Sequence, residues 1–228
     1  MTARLRDLAD ARRPGSAADR FRQRRFARFR ELVDALPGAV RILDVGGTTS
    51  FWERLGYAGT ERIDIVLLNL IPQDVPFSNI SSTIGDAADL SAYGDDAFDV
   101  VVSNSVIEHL PTPELQARMA AEVRRVGRRV YLQTPNRFFP LEPHFLFPFF
   151  GVLPMRVRAW LLQHLDLGWH PRQPDPHKAM ADVRSIRLLS RRELRRHFPG
   201  ATIVDERLAL MTKSFIVLDG WDQEGYRS

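Results

Sequence analysis

Four short stretches of near-continuous apolar residues constrain this chain most: AVRILDV (39–45), ERIDIVLLNL (61–70), FDVVVSNS (98–105) and RRVYLQT (128–134). Strands with no polar alternation are covered on both faces, which is the situation of a parallel sheet flanked by helices. Helical patterns stand between them. TSFWERLGY follows the first, and a helix from about Thr112 to Val126 opens with Thr112 as N-cap and Pro113 at its first position. NISSTIGDA adds a third strand in chain order, after Pro72 and Pro76 have excluded a long helix. SRRELRRHF resumes the alternation with a helix capped by Ser190, and TIVDERLAL and KSFIVLD close the chain. Only Met211 and Thr212 separate those two strands in this reading, so they must run antiparallel. The expected fold is α/β: a doubly wound, mostly parallel seven-stranded sheet with an antiparallel final strand pair.

Three segments are expected. Residues 1–37 form a basic amphipathic helical segment, 38–135 and 188–228 the core, and 136–187 an insertion after the fifth strand. The first 30 residues carry ten arginines against Asp7, Asp10 and Asp19, whereas the whole chain has a net charge of only +4. The basic character is therefore local. Phe21, Phe26, Phe29, Leu32, Val33 and Leu36 recur at near-helical spacing among those arginines. Such a helix can pack with its basic face in solvent, or meet an anionic lipid surface. Nucleic acid is not an expected partner, because the body of the chain is not basic and carries no recognised module. The chain has no cysteine, which excludes disulfides and thiolate metal sites. No apolar run approaches the roughly 20 residues of a membrane span, and no signal-peptide region precedes the body. A cytoplasmic protein, possible at the membrane periphery, is the expectation.

In an open parallel sheet, ligands bind beyond the carboxyl ends of the strands, near the point where strand order reverses. Asp44 and Gly46, Asn69, Asp86, Asn104 and Thr134 all fall at such ends. A dinucleotide oxidoreductase would require G-x-G-x-x-G after the first strand and an acid on the second. RILDVGGTTSFW has glycine at 46 and 47 but Thr48 and Ser50 beyond, and position 69 is Asn.

LDVGG at the first loop, GDA at 85–87, FDVVVSNSVIEHL at the fourth strand and the closing strand pair together resemble the Rossmann-like class of S-adenosylmethionine-dependent methyltransferases. The resemblance covers roughly residues 38–135 and 188–219. It implies S-adenosylmethionine as cofactor and the following roles. Gly46 and Gly47 let the backbone approach the methionine part, with Thr48 at hand for its carboxylate. Asp44 orients that loop and favours the ammonium group. Asn69 takes the ribose hydroxyls, Asp86 the adenine amino group and the Ala87 amide the ring. Asn104 lines the methyl end. An idle fold that binds cofactor or partner as a scaffold is the alternative that Thr48, Ser50 and Asn69 keep open.

Glu108 and His109 in SNSVIEHLP lie just past the fourth strand. His109, with a near-neutral intrinsic pKa, suits a general base, and Glu108 suits an orienting role. The insertion is rich in Phe, Leu and Pro, with Glu142 and His144 two apart. Its composition suits a small apolar or lipid-linked methyl acceptor, with oxygen as the favoured target, although the aromatics could equally form a mini-core. His144 is a further acid/base candidate. No third ligand stands at suitable spacing from Glu142 and His144, so no metal is expected. PRQPDPHK (171–178) reads as a linker or lid edge.

Overall fold

The computed structural model describes residues 17–221. The sheet is built from β1 (Val40–Val45), β2 (Ile63–Asn69), β3 (Ile80–Ile84), β4 (Val100–Asn104), β5 (Val130–Pro135), β6 (Thr202–Leu208) and β7 (Met211–Asp219). Its order is β3-β2-β1-β4-β5-β7-β6. The first five strands are parallel, and β7 pairs antiparallel with both β5 and β6. The chain winds outward from β1 to β3 and then returns to β4 on the other side of β1. Their carboxyl ends therefore diverge into a crevice at the expected switch point.

Helices α1 (Ala17–Asp34) and α2 (Thr49–Leu55) cover one face, and α3 (Pro113–Val126) and α6 (Arg191–His197) the other. The caps follow the sequence reading. The Leu115 amide donates to Thr112 Oγ1, and Ser190 and Glu193 form a reciprocal capping box. One boundary differs. The turn between β6 and β7 is Ala209-Leu210, Met211 already pairing with Leu208, and Ala209 takes φ +53°. The apolar Met211 thus belongs to the strand.

The apolar face of α1 is consumed by packing. Phe29 and Val33 are fully buried and Phe26 nearly so, and the Phe29 ring lies 4.9 Å from Tyr131 and 5.9 Å from Trp52. Arg25 pins this helix to the far end of the sheet. Its Nε and Nη2 donate to Glu206 at 2.9 and 2.7 Å, and its Nη1 donates to Asn104 Oδ1 at 2.7 Å. Replacing Arg25 by Met should lower stability by roughly 2 kcal/mol, because it removes the cation from the largely buried Glu206 carboxylate and leaves it the Ser214 hydroxyl. The urea midpoint at unchanged slope is the readout.

Residues 136–187 hold α4 (Met155–His164) and α5 (Pro176–Arg184) around a small core of their own. Phe145 and Phe150, 4.3 Å apart, and Leu162 fill that core, so part of the aromatic content is structural. Phe138, Phe149, Trp160 and Trp169 remain at least half exposed. The second half of PRQPDPHK is a helix start, not a free linker: Asp175 accepts from the His177 and Lys178 amides and caps α5.

Candidate functional site

The crevice between β1, β2 and β4 contains a cleft of about 370 Å³ lined by Gly46, Asn69, Asp86, Ala87 and His109, five of the residues expected from sequence. Leu70, Ile71, Gln73, Val106 and Leu110 are among the other lining residues. Leu70 and Ile71 carry no role in the sequence reading. They are 80% and 72% exposed, and two bare aliphatic side chains beside a cleft are the cue that the apolar run continuing past Asn69 offered.

Gly46 adopts φ +78°, and a Cβ there would come within 2.4 Å of Val106 Cγ2. Only glycine fits both the left-handed backbone and that contact. At Gly47 a Cβ would lie 1.7 Å from Asp44 Oδ2, so this glycine is required by the carboxylate beneath it. Asp44 itself is buried and accepts from Trp52 Nε1 at 2.8 Å. Burial pushes its carboxyl up to about 7, only partly offset by the Trp52 bond. Asn69, which lines the cleft, donates from Nδ2 to the Gly47 carbonyl at 3.0 Å and so ties the glycine loop to β2. Asp86 is exposed and uses Oδ1 to accept from the Ala88 amide, leaving its other oxygen free of protein donors among the described residues. Thr48 is exposed, with its hydroxyl 3.3 Å from that of Ser50.

Asn104 departs from the expected group. It does not line this cleft. With its carbonyl oxygen held by Arg25, it faces a second cavity of about 300 Å³ shared with Arg22, Arg25, Gln133, Phe139 and Lys213. The strand alternation that ends β4 turns its side chain toward α1, and sequence alone does not show which arginine waits there.

Glu108 is completely buried in the turn that follows β4. Its Oε2 accepts from the Thr134 hydroxyl at 2.9 Å, and Oε1 has no partner among the described residues. Burial raises its pKa, against weaker opposing effects from its own backbone amide, the nearby His144 charge and the Thr134 and Ser105 hydroxyls. His109 sits at the mouth of the cleft, with its pKa lowered first by desolvation and then by His144. Its ring meets that of His144 edge-on at 5.2 Å. His144 is the third member, delivered by the insertion. Its Nδ1 lies 2.7 Å from Glu142 Oε1. Desolvation opposes its charge, but the Glu142 bond and the carboxylates of Glu142 and Glu108 together raise its pKa. One ligating atom from each of Glu108, His109 and His144 falls within 4.8 Å of the others. The sequence had suggested Glu142 and His144 as partners; the fold adds the pair from the β4 turn.

A third cavity, about 240 Å³, lies under the insertion against Arg137, Arg158, Arg184 and Arg187, with Glu142 and Phe150 in its wall. Among the described residues no helix is long and apolar enough to cross a membrane.

A family model described as a methyltransferase domain matches residues 18–199. Among solved structures, a SAM-dependent methyltransferase from Methanosarcina mazei is similar at a TM-score of 0.50 and 14% identity, over 82% of this chain and 95% of that one. A protein from Bordetella parapertussis described as a possible exported protein matches at 0.54 and 14%, over 86% and 67%. The trans-methyltransferase CalH, solved with SAH, matches at 0.50 and 17%, over 85% and 54%. An uncharacterized protein of Mycobacterium tuberculosis is 36% identical over 62 residues, which are 27% of this chain and 21% of that relative. The structural matches speak for the fold. The cleft is in the size range of small-molecule sites, and its cradle is closed to any side chain at position 46 and offers polar groups from β2 and β3, so it suits a nucleoside bearing an amino acid. With four-fifths of the residues inside the family match, the chain belongs to the methyltransferase-domain family of Rossmann-like fold, whose cofactor is S-adenosylmethionine.

Proposed function

We propose that the protein transfers a methyl group from S-adenosylmethionine to the oxygen of a small amphipathic acceptor that carries an acidic group, a lipid-linked acceptor being one such molecule. The observation that supports the cofactor half is the convergence of Gly46, Asn69, Asp86 and Ala87 on one cleft. In this reading Asp86 and the Ala87 amide hold the adenine, Asn69 the ribose, and Gly46, Gly47 and Thr48 the methionine end, with Leu70 and Ile71 against the adenine faces. Asp44 acts from below the loop, its charge complementing the ammonium group. The sulfonium supplies an activated methyl, so orientation and water exclusion carry much of the rate.

For the acceptor, the support is the composition of the two cavities beside the insertion. Phe139, Leu141 and Pro143 offer an apolar wall, and Arg22, Arg25 and Lys213 stand opposite. Burial and the neighbouring Arg25 charge depress the Lys213 pKa, a strain that an anionic ligand would relieve. Residues 136–187 thus act as the substrate cap. Asn104 and Ser105 border the acceptor cavity, and His109, whose charged form desolvation disfavours, stands at the mouth of the adjoining cofactor cleft with the His144 ring edge-on to it.

Turnover of labelled S-adenosylmethionine with paired acceptors tests this. A hydroxylated acyl or aryl phosphate or carboxylate should be methylated at least tenfold faster than its neutral analogue, and Lys213→Met should erase the difference. Equal rates for both would remove the acidic group from the proposal. The exposed Trp160 and Trp169 and the arginines of α1 would let the protein sit at an anionic membrane. Sedimentation with anionic vesicles should then be lost at high salt.

A further inference from the structure

We propose that Glu108, His109 and His144 bind a divalent transition-metal ion, zinc being the one their donor set suits best, at the border of the cofactor cleft and the cap. The inference adds a ligand to the methyltransferase reading, and the existence of the ion site does not depend on that reading.

Three observations carry it. The first is the cluster itself: one carboxylate oxygen and two imidazole nitrogens within 4.8 Å of one another, drawn from the β4 turn and the cap. Ligands of a tetrahedral zinc ion stand about 3.4 Å apart at bond lengths of about 2.0–2.1 Å, so closure needs a modest approach. His109 is exposed and can supply it by rotating about its side-chain torsions. The second is the bare Oε1 of Glu108. This side chain has no exposure to solvent, its other oxygen is committed to Thr134, and Oε1 receives no well-formed hydrogen bond among the described residues, its own backbone amide and Ser105 being the nearest polar influences. A buried oxygen without a partner is costly, and a cation within reach offsets that cost.

The third is the support of His144. Glu142, itself 3% exposed, accepts the Phe145 amide on Oε2 at 2.6 Å and holds His144 Nδ1 with Oε1 at 2.7 Å. With Nδ1 donating to this carboxylate, the Nε2 lone pair is the free one, and its direction is fixed. A carboxylate that orients a histidine from behind is the usual outer support of a metal ligand. Two imidazoles and one carboxylate suit zinc, cobalt or iron over magnesium or calcium, which prefer all-oxygen sites. Three protein ligands leave a position open, as in reactive zinc sites and not in purely structural ones. That position would lie beside the cleft lined by His109. An ion there would acidify an acceptor hydroxyl, with the two histidines serving as ligands in place of a general base.

The test uses the full chain after chelator treatment, titrated with zinc by calorimetry and with cobalt by visible absorption. We expect one ion per chain at micromolar Kd or tighter, with ligand-field bands for cobalt. Glu108→Gln, His109→Ala and His144→Ala should each weaken zinc at least tenfold, and Glu142→Gln by 10- to 100-fold through its hold on His144. His164→Ala, an exposed histidine of α4 outside the cluster, should change nothing. Circular dichroism verifies folding, and since His109 is exposed its variant keeps the question open to a clear answer even if Glu108→Gln unfolds. S-adenosylmethionine affinity is measured on the same samples. Zinc loss with retained cofactor binding, or the reverse, separates failure of this inference from failure of the methyltransferase reading. The proposal is overturned if wild type binds no zinc, or if His109→Ala and His144→Ala bind it as wild type does.

Discussion

Gly46→Ala is expected to lose at least a hundredfold in S-adenosylmethionine affinity and to be destabilised by about 2–4 kcal/mol. Two costs combine. The backbone at φ +78° charges an alanine roughly 1–2 kcal/mol for the left-handed conformation, and the new methyl would stand 2.4 Å from Val106 Cγ2. Gly56 gives the comparison, because it has nearly the same φ of +77° and nothing within 4 Å of an added Cβ. Gly56→Ala should therefore show the backbone cost alone, roughly 1–2 kcal/mol, with cofactor affinity unchanged. Combining Gly46→Ala with Val106→Ala should recover the steric part of the stability but not the affinity, since positions 46 and 106 both line the cleft. Calorimetry and urea unfolding on the three variants check the partition. Full recovery of affinity in the double variant would mean that the glycine serves packing and not the ligand.

Asp44→Asn should make the ligand-free protein more stable at pH 8 while weakening its hold on the cofactor at least tenfold. The folded carboxyl keeps its proton up to about pH 7, whereas in the unfolded chain it ionises near 3.8. Between those values the folded state binds more protons than the unfolded one, so stability falls as pH rises through this window. The full loss is up to about 4 kcal/mol above pH 7. An amide carries no such cost and can still accept from Trp52, so the variant's stability should decline less from pH 4 to 8 than the wild type's, by the share that Asp44 contributes. For the ligand the sign reverses. An ammonium group above the loop favours the ionised carboxylate, so wild-type affinity should rise from pH 6 to 8 with release of a proton on binding. The variant should show neither. Thermal melts across pH and calorimetry in buffers of different ionisation enthalpy provide both readouts.

Such a carboxyl, unstable when charged and placed under the ligand loop, illustrates which parts of the site are legible in a sequence. That Asp44 ends a strand and precedes a glycine pair follows from the apolar run before it, because strand periodicity and turn chemistry are local. That it is buried against Trp52 is a matter of how α2 folds back, which periodicity does not encode. The strands and the caps at Thr112 and Ser190 were readable for the same local reason, and so were Asn69 and Asp86 at strand ends. Asn104 was not, because its direction is settled by Arg25 of α1, far away in sequence. Glu108 and His109 could be seen as polar residues past β4, and His144 as one beside Glu142. Their meeting depends on how the insertion docks, and no spacing rule reports that. The aromatics of the insertion divided between core and surface for the same reason: composition gives their number, whereas packing decides which of them face inward.

The central claim is that the cleft around Gly46, Asn69 and Asp86 holds S-adenosylmethionine. Isothermal titration of the wild-type protein with S-adenosylmethionine, and separately with its demethylated product, tests it most directly. Binding of both at micromolar Kd and one molecule per chain, lost in Gly46→Ala, is the predicted result. A folded wild-type protein that takes up neither ligand, or a Gly46→Ala variant that binds both as the wild type does, would contradict it.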